Sequence, residues 1–311
     1  MKILKNYSPH SVTLIALAVL GEAIISVPYK PSDIYSFSAF LLSFLIAIPL
    51  FLFAPCVLKK SVKLLKSNYT AVKLLFRFLF SAVALLLFLS AACPFLEFSK
   101  FSSAVLLPRA PKIISLLLFL LALLPFLTAK KEPIFKFSLL SLAFIGLIII
   151  LLFALSVPSM KLINISVFAF PTIKRLTGEG VNYFIKIFVP ALSAIILCYE
   201  VNPSLNKKTA FLGLSLGGLL LGGVFITSML ILGGGANHFE FPYLSSIGTL
   251  TFGNLFTRLD FFVYYLFFVT SLIKTAICIK SGIFITGLLK KTNNPLDRKG
   301  IKSYNYYIIR L

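Results

Sequence analysis

Long runs of apolar residues alternate with short polar and basic segments along most of this chain. A helix needs about 20 mainly apolar residues to cross the hydrocarbon core of a bilayer. Because the runs are continuous and do not alternate in polarity, they predict helices and not the strands of a membrane barrel. The sequence therefore predicts an all-α integral membrane protein with about eight transmembrane helices, at residues 11–28, 35–58, 74–95, 113–128, 137–157, 184–201, 210–232 and 261–289.

The composition excludes a water-soluble globular domain. The 311 residues are 59% hydrophobic and 13% charged, whereas soluble domains are about 25% charged. A net charge of +21, from 30 Lys and Arg against 9 Asp and Glu, would suggest nucleic acid as the partner of a soluble protein. Here most basic residues lie in short segments between apolar runs. We therefore expect a lipid bilayer around the chain and no nucleic-acid partner.

The positions of the basic residues also predict the orientation in the membrane. Lysine and arginine are enriched in the cytoplasmic loops of membrane proteins. With the N-terminus in the cytoplasm, the cytoplasmic side receives the lysine-rich segments 59–66, 130–136, 207–208 and 290–302. Both termini are then cytoplasmic, residues 1–290 form one transmembrane domain, and residues 291–311 form a basic cytoplasmic tail. The longer external loops, 158–183 and 233–260, are expected to hold short interfacial helices.

Metal, cofactor and catalytic sites are not indicated by the sequence. The cysteines lie in separate apolar segments, without a CxxC pair or a nearby histidine cluster: Cys56, Cys93, Cys198 and Cys278. No set of nucleophile, base and orienting group stands out, and His10 and His238 lie in predicted loops,. We therefore expect no metal, no cofactor and no enzymatic activity.

The first predicted helix contains an interruption that is typical of membrane transporters. Gly21, Glu22 and Pro28 combine a helix-weakening glycine, an ionisable group and a proline within about two turns,. A helix interrupted inside a membrane lines a cavity, where its freed carbonyls and amides bind the charged groups of a ligand. We predict a ligand site here, formed by Gly21, Glu22, Ala23, Ile24, Ile25 and Ser26. The alternative is that Pro28 only ends the helix and that Glu22 lies near the outer interface.

The sixth predicted helix is the second candidate for a binding site. Pro190 lies near its external end, where a missing N–H breaks the hydrogen-bond ladder and can open a kink beside a pocket,. Glu200 lies near its cytoplasmic end, and if buried it would have to be paired or protonated. The alternative is that Glu200 is solvated and pairs with Lys207 or Lys208.

The eighth predicted helix carries two lysines in an otherwise apolar stretch. A cation near the bilayer centre costs about 2.5 to 3.5 kcal/mol on insertion scales. We therefore expect Lys274 to face the bundle interior or a water path, with Glu22 or Glu97 as its partner. Lys280 is expected to extend toward the cytoplasm.

The seventh predicted helix is rich in glycine. Small residues spaced four apart let the backbones of two membrane helices approach closely. This spacing occurs among Gly213, Gly217, Gly218, Gly222 and Gly223. We predict close packing of this helix and no binding role for its glycines.

An ordered motif extends from residue 241 to residue 274. It begins with Phe241 and Pro242, continues through Gly253 and the pair Arg258 and Asp260, and ends at the mid-helix Lys274. This order resembles the C-terminal block of the spore germination permease family, which comprises the B-type subunits of nutrient-germinant receptors in the amino acid, polyamine and organocation transporter superfamily. Two regions resemble the family more loosely: Leu20, Gly21, Ile24, Ile25 and Pro28, and then Tyr199, Glu200 and Pro203.

The resemblance implies a five-plus-five inverted-repeat transporter fold. Its ligand site would lie between the first, third, sixth and eighth helices, which adds Ala191, Ser193, Ala194 and Leu197 to the ligand-binding residues. Family members usually have ten helices, so the eight predicted here imply a partial fold that lacks the last two. Glu22 is a further departure, because the family tends to have a small residue there.

The implied function is that of a membrane subunit of a spore nutrient-germinant receptor. Such a subunit would bind a small nutrient, most simply an amino acid, and would initiate germination together with other receptor subunits in the inner spore membrane or the cell membrane. No chemical reaction is implied. The alternatives are an amino-acid secondary transporter with the same fold, and a truncated, non-functional member of the family.

Overall fold

The fold is taken from a computed structural model of the chain. It describes residues 7–21, 23, 34–65, 70–106, 111–161, 164, 173–203, 205–233, 239–249 and 259–293. Within these ranges the chain forms helices joined by short connections, and it forms no strand. The predicted all-α class is therefore confirmed for the part of the chain that the structure describes.

The helices are numbered in chain order. They are α1 (Tyr7–Leu20), α2 (Ile34–Leu65), α3 (Thr70–Phe101), α4 (Lys112–Thr128), α5 (Lys131–Ser156), α6 (Ile173–Tyr183), α7 (Val189–Val201), α8 (Lys207–Leu232), α9 (Pro242–Gly248) and α10 (Asp260–Asn293). A π turn at Ser102–Leu106 extends α3, a short 3-10 turn at Val157–Ser159 follows α5, and a second π turn at Phe184–Phe188 joins α6 to α7.

Within the ranges that the structure describes, six helical segments are long and apolar enough to cross a membrane. They are Phe37–Leu65, Ala71–Val105, Lys131–Ser159, Leu176–Val201, Lys207–Leu232 and Phe261–Lys290. Pro9–Leu20 and Lys112–Thr128 are apolar helices of less than 18 residues. The chain is thus a multi-pass membrane protein by the length and composition of its helices, whereas the prediction of eight spans depends on these two shorter helices and stays a prediction.

Large apolar side chains cover the outside of the bundle. Leu45, Phe78, Leu140 and Leu219 are each more than 60% exposed. In water an apolar surface of this extent would be strongly unfavourable, but in a bilayer it contacts lipid tails. The outer surface therefore supports the membrane assignment independently of helix length.

The centre of the bundle is formed by α1 and α10. Every residue of α1 from Leu14 to Leu20 has 0% exposure. In the most apolar 18-residue stretch of α10, 72% of the residues are buried, whereas the corresponding value for α2 is 22%. Glycines of α8 let α1 approach closely, because a Cβ at Gly217 would lie 2.7 Å from the carbonyl oxygen of Ala16. The predicted close packing of the glycine-rich helix is confirmed.

Several helix ends differ from the sequence prediction. The helix predicted to begin at residue 184 is preceded by α6 and continues from it through the π turn. Regular helix in α1 ends at Leu20, before the predicted end at residue 28, while α2 and α10 extend into their basic segments as far as Leu65 and Asn293. The short α9 lies between residues 233 and 260, where a short helix was expected, and its position at the membrane interface stays a prediction.

Lysines gather at one end of the bundle, which we call the basic end. Here α2, α4 and α7 finish and α5 and α8 begin. The ammonium group of Lys207 lies 5.4 Å from the centre of the Phe53 ring, and Lys131 at the start of α5 pairs with Glu200 near the end of α7. These two contacts connect the start of α8 to α2 and the start of α5 to the end of α7.

Candidate functional site

The end of α1 lies deep in the bundle. Gly21 has φ of 37°, in the left-handed region that favours glycine,. Its N–H donates to the Leu17 carbonyl at 2.9 Å and closes the last turn. Its own carbonyl accepts a hydrogen bond from Oγ1 of Thr270 in α10 at 2.8 Å. The first helix is therefore interrupted at the glycine that the sequence indicated, and α10 satisfies one of the carbonyls that the interruption leaves unpaired.

Lys274 of α10 lies against this interruption. Its side chain has 0% exposure, and its Nζ donates to the carbonyl oxygen of Lys186 at 3.3 Å. A Cβ at Gly21 would lie 2.2 Å from Cδ of Lys274 and 3.0 Å from its Nζ, so only glycine leaves room for the lysine. The C-terminal end of a helix attracts a positive charge. The expectation that Lys274 faces the bundle interior is confirmed.

Pro190 removes the N–H that the Lys186 carbonyl would accept in a regular α-helix,. In an α-helix this carbonyl would accept the N–H of the residue four positions later, which here is a proline without an N–H,. The chain widens into the π turn Phe184–Phe188 immediately before that proline, and π turns of this kind are frequent at functional sites. Lys274 thus lies between two irregular helix segments, the end of α1 and the π turn before α7.

A column of buried polar groups continues along α10 from Lys274. Thr270, Ser271, Thr275, Cys278 and Ser281 are each at most 2% exposed. The hydroxyl of Ser281 donates to the backbone carbonyl of Ser193 in α7 at 2.7 Å. Sγ of Cys278 lies 3.5 Å from Oγ of Ser193. Hydroxyl groups of this kind hydrogen-bond across packed membrane helices and hold them together.

The structure brings together part of the predicted ligand-binding set. Ala191, Ser193, Ala194 and Leu197 of α7 all have 0% exposure and belong to the core, as does Ala23 at 2%. α10 packs against α1, α3 and α7, and α7 packs against α1. The resemblance placed a ligand site between these four helices, and that placement stays a prediction. Glu22, Ile24, Ile25, Ser26 and Pro28 lie outside the described residues, as do Gly253, Arg258 and the side chain of Asp260.

Glu97 and Glu200 have ion-pair partners other than those expected from the sequence, while the expected pairing of Lys274 with Glu22 falls outside the described residues. Glu97 forms an ion pair with Lys100 at 3.2 Å, one turn away on α3, and not with Lys274. Glu200 forms its ion pair with Lys131 of α5 and not with Lys207 or Lys208. Glu97 pairs with a lysine one turn away on its own helix, and Glu200 pairs with a lysine that tertiary packing brings from another helix.

The remaining motif residues lie apart from Lys274. The Phe241 ring packs edge-on against Phe101 at 5.3 Å, and Pro242 is buried at the start of α9. Tyr199 packs in a second apolar cluster near the basic end, and Pro203 is exposed after α7. Phe241, Pro242 and Tyr199 therefore take part in packing, and no contact with Lys274 is seen for the four residues in the described part of the chain.

Sequence reasoning missed the Lys186 carbonyl. The sequence does show that Pro190 follows Lys186 by four residues, so the N–H that would donate to the Lys186 carbonyl in an α-helix is missing,. Which side chain would reach that carbonyl depends on the packing of α10 against α7, and no spacing along the chain reveals that packing.

A comparison with models of protein families found no match, and a comparison with curated proteins found none either.

Proposed function

We propose that this chain binds a small nutrient, such as an amino acid, beside Lys274, and that it acts as the membrane subunit of a spore nutrient-germinant receptor. The observation that supports the proposal most strongly is the position of the Lys274 ammonium between the interrupted end of α1 and the Lys186 carbonyl. A buried cation at two irregular helix segments is an arrangement that suits an anionic ligand group.

A carboxylate would bind this site by exchange of hydrogen bonds. The Lys274 ammonium now donates to a neutral carbonyl oxygen, whereas a carboxylate would accept the same hydrogen bond and add the attraction between two opposite charges. An entering amino acid would therefore replace the Lys186 carbonyl as the acceptor for Lys274. The carbonyls at the C-terminal end of α1 would attract its ammonium group. Since the lining residues of α7 are fully buried, binding requires the helices around Gly21 to separate, and that movement is the signal passed to other receptor subunits.

The link to germination is supported by the ordered motif from Phe241 to Lys274. Its last member, Lys274, lies at the proposed binding site, and its first members, Phe241 and Pro242, anchor α9 to α3 and α8. The partners of the receptor subunit are thus a small nutrient and the other subunits of the receptor, in the inner spore membrane or the cell membrane.

The experiment that tests the binding step uses full-length protein purified in detergent. The thermal unfolding midpoint is measured with each of the common amino acids and, as non-anionic controls, with sugars. Binding of one amino acid class should raise the midpoint, because a ligand that binds only the folded state stabilises it. If no amino acid changes the midpoint at millimolar concentration, the proposed ligand class is wrong.

The receptor role is tested in spores. Deletion of the gene should abolish the germination response to the amino acid identified above, and complementation should restore it. Binding without any change in germination would separate the two parts of the proposal and would reject only the receptor role.

A secondary amino-acid transporter is the second candidate. The buried polar column from Thr270 to Ser281 favours it, since this column extends from Lys274 toward the basic end. Uptake of the bound amino acid by proteoliposomes would support the transporter, whereas binding without uptake would support the receptor.

The proposed orientation places the basic end in the cytoplasm. It can be tested on a variant without the four native cysteines by introducing one cysteine at Lys130 or at Glu240. A membrane-impermeant thiol reagent added to intact cells should label position 240 and not position 130. The reverse pattern would invert the topology.

A further inference from the structure

A cavity opens at the basic end, outside the site around Lys274. It has a volume of about 390 Å³ and is lined by Ala129, Lys130, Lys131, Glu132, Val201 and Lys280. Three lysines from two parts of the chain therefore face one space. Among the described residues the ion pairs are Lys131 with Glu200 and Lys100 with Glu97, so Lys130 and Lys280 contribute positive charge that no ion pair in this part of the chain neutralises.

The backbone around the cavity also suits an anion. Lys280 is held at the rim, where its Nζ donates to the Ala129 carbonyl at 2.6 Å. The cavity lies at the first turn of α5, and the side chain of Lys130 at the N-cap position makes no capping hydrogen bond. N–H groups of a first helical turn have no acceptor within the helix and are available to an anion.

A second groove continues from this cavity down the outer face of α5. It has a volume of about 420 Å³ and is lined by Glu132, Pro133, Lys136, Phe137 and Leu140. Glu132 borders both spaces. Along α5 the groove begins at Glu132 and Pro133, passes the exposed Lys136 and ends at Leu140, which is 68% exposed. Its lining therefore changes from charged to apolar over about two helical turns, in the direction from the membrane surface toward the bilayer centre.

We propose that this paired cavity and groove bind an anionic phospholipid. The phosphate lies among Lys130, Lys131 and Lys280, and Lys136 neutralises the headgroup at the entrance of the groove. One acyl chain follows Phe137 and Leu140. Basic pockets between helices at the membrane surface bind anionic headgroups. The apolar groove favours a lipid over a free phosphate ester, which would use only the cavity.

Glu132 limits which headgroups are suitable. Its exposed carboxylate lies between the two spaces and repels a headgroup that carries several negative charges. The site therefore takes a lipid with a single phosphate charge, such as phosphatidylglycerol, and binds it more tightly than it binds zwitterionic phosphatidylcholine.

The test measures the binding of phosphatidylglycerol to purified, delipidated full-length protein by native mass spectrometry in neutral detergent. The double variant K130Q/K136Q should bind about 25-fold more weakly, about fivefold for each lysine. The control K59Q/K60Q removes the same charge from exposed lysines of α2 at the same end and should stay within about twofold of wild type. All four side chains are exposed, so these substitutions leave the core unchanged.

Two further measurements distinguish a lipid phosphate from the phosphate of a soluble ester. Phosphatidylcholine should bind at least about fivefold more weakly than phosphatidylglycerol, and millimolar glycerol 3-phosphate should not displace the lipid. Leu140→Gln should weaken lipid binding more than Leu219→Gln on α8. Wild-type affinity in K130Q/K136Q, or equal losses in both double variants, would overturn the proposed site. Displacement of the lipid by glycerol 3-phosphate would show a site for a soluble phosphate ester.

Discussion

The side-chain nitrogen of Lys274 lies 3.3 Å from the carbonyl oxygen of Lys186, although 88 residues separate them along the chain. Pro190 removes the N–H that this carbonyl would otherwise accept, and Gly21 removes the Cβ that would otherwise occupy the space of the lysine side chain,. Gly21, Pro190 and Lys274 lie far apart in the sequence but meet at this one place in the bundle. Their combination explains how a membrane helix holds a fully buried lysine.

Replacement of Lys274 by Met should separate binding from stability. Methionine is apolar and of similar length, so it fills the space of the lysine, but it removes the hydrogen bond that Nζ donates to the Lys186 carbonyl. We expect K274M to remain folded with a lower thermal midpoint, because the buried carbonyl loses this donor at a cost of about 1 to 3 kcal/mol. The increase in midpoint caused by the amino acid that binds wild type should be lost, because the cation that holds its carboxylate is gone.

The control for this experiment is Lys100→Met. The side chain of Lys100 is 53% exposed and pairs with Glu97 on the same helix, so K100M should keep the response to the amino acid. An amino-acid response of wild-type size in K274M would contradict a role for this lysine in binding.

Gly21→Ala should be destabilising in a way that depends on Lys274. An L-residue at φ of 37° costs about 1 to 2 kcal/mol, and the new Cβ would lie 2.2 Å from Cδ of Lys274. In the background K274A the second contribution disappears. We expect a coupling free energy of about 1 kcal/mol or more between the two substitutions, measured by chemical unfolding of the four proteins of a double-mutant cycle.

Gly146→Ala is the matched control for Gly21→Ala. A Cβ at Gly146 meets no atom within 4 Å, and alanine is the better helix former by about 1 kcal/mol. Its effect should be neutral or stabilising in both backgrounds. If the free energies of G21A and K274A add to within about 0.5 kcal/mol, the close contact between Gly21 and Lys274 is absent from the protein in solution.

The sequence predicted those structural features that depend on a single residue or on one continuous run of residues. Apolar runs located the helices, because burial of backbone groups in lipid leaves few alternatives. The cost of a charge in lipid placed Lys274 in the interior. The sequence-based prediction of helices failed for α6. Its segment Ile173–Tyr183 contains no long apolar run, and it is helical through its amphipathic pattern and its continuation into α7.

The pairing of charged residues was not predictable for a different reason. Glu200 has several lysines within reach along the chain, yet its partner Lys131 comes from α5, 69 residues earlier. Which helix ends meet at the basic end depends on the tertiary arrangement. A pattern of single residues does not carry that information.

Gly217→Ala should weaken the packing of α8 against α1. The added Cβ would lie 2.7 Å from the backbone carbonyl of Ala16 and 2.8 Å from Cβ of Val19, and neither atom belongs to a flexible side-chain end. Overpacking of this kind costs about 1 to 3 kcal/mol. Gly223→Ala on the same helix meets nothing within 4 Å and should be neutral or stabilising. Equal unfolding free energies for the two variants would refute the close approach of α1 and α8.

Lys131→Gln tests the contact that joins α5 to α7 at the basic end. The Glu200 side chain is 16% exposed, so loss of its partner leaves a largely buried carboxylate, and we expect a cost of about 1 to 3 kcal/mol in the free energy of unfolding. The more exposed pair of Lys100 and Glu97 provides the comparison, where K100Q should cost no more than about 0.5 kcal/mol.

The additional substitution Glu200→Gln distinguishes a charge effect from a packing effect. It removes the carboxylate that K131Q leaves without its ion pair, so the double variant K131Q/E200Q should recover at least half of the lost stability. If it recovers nothing, the cost of K131Q arises from packing at the start of α5. If K131Q and K100Q cost the same, the pair at the basic end contributes no more than an ordinary surface ion pair.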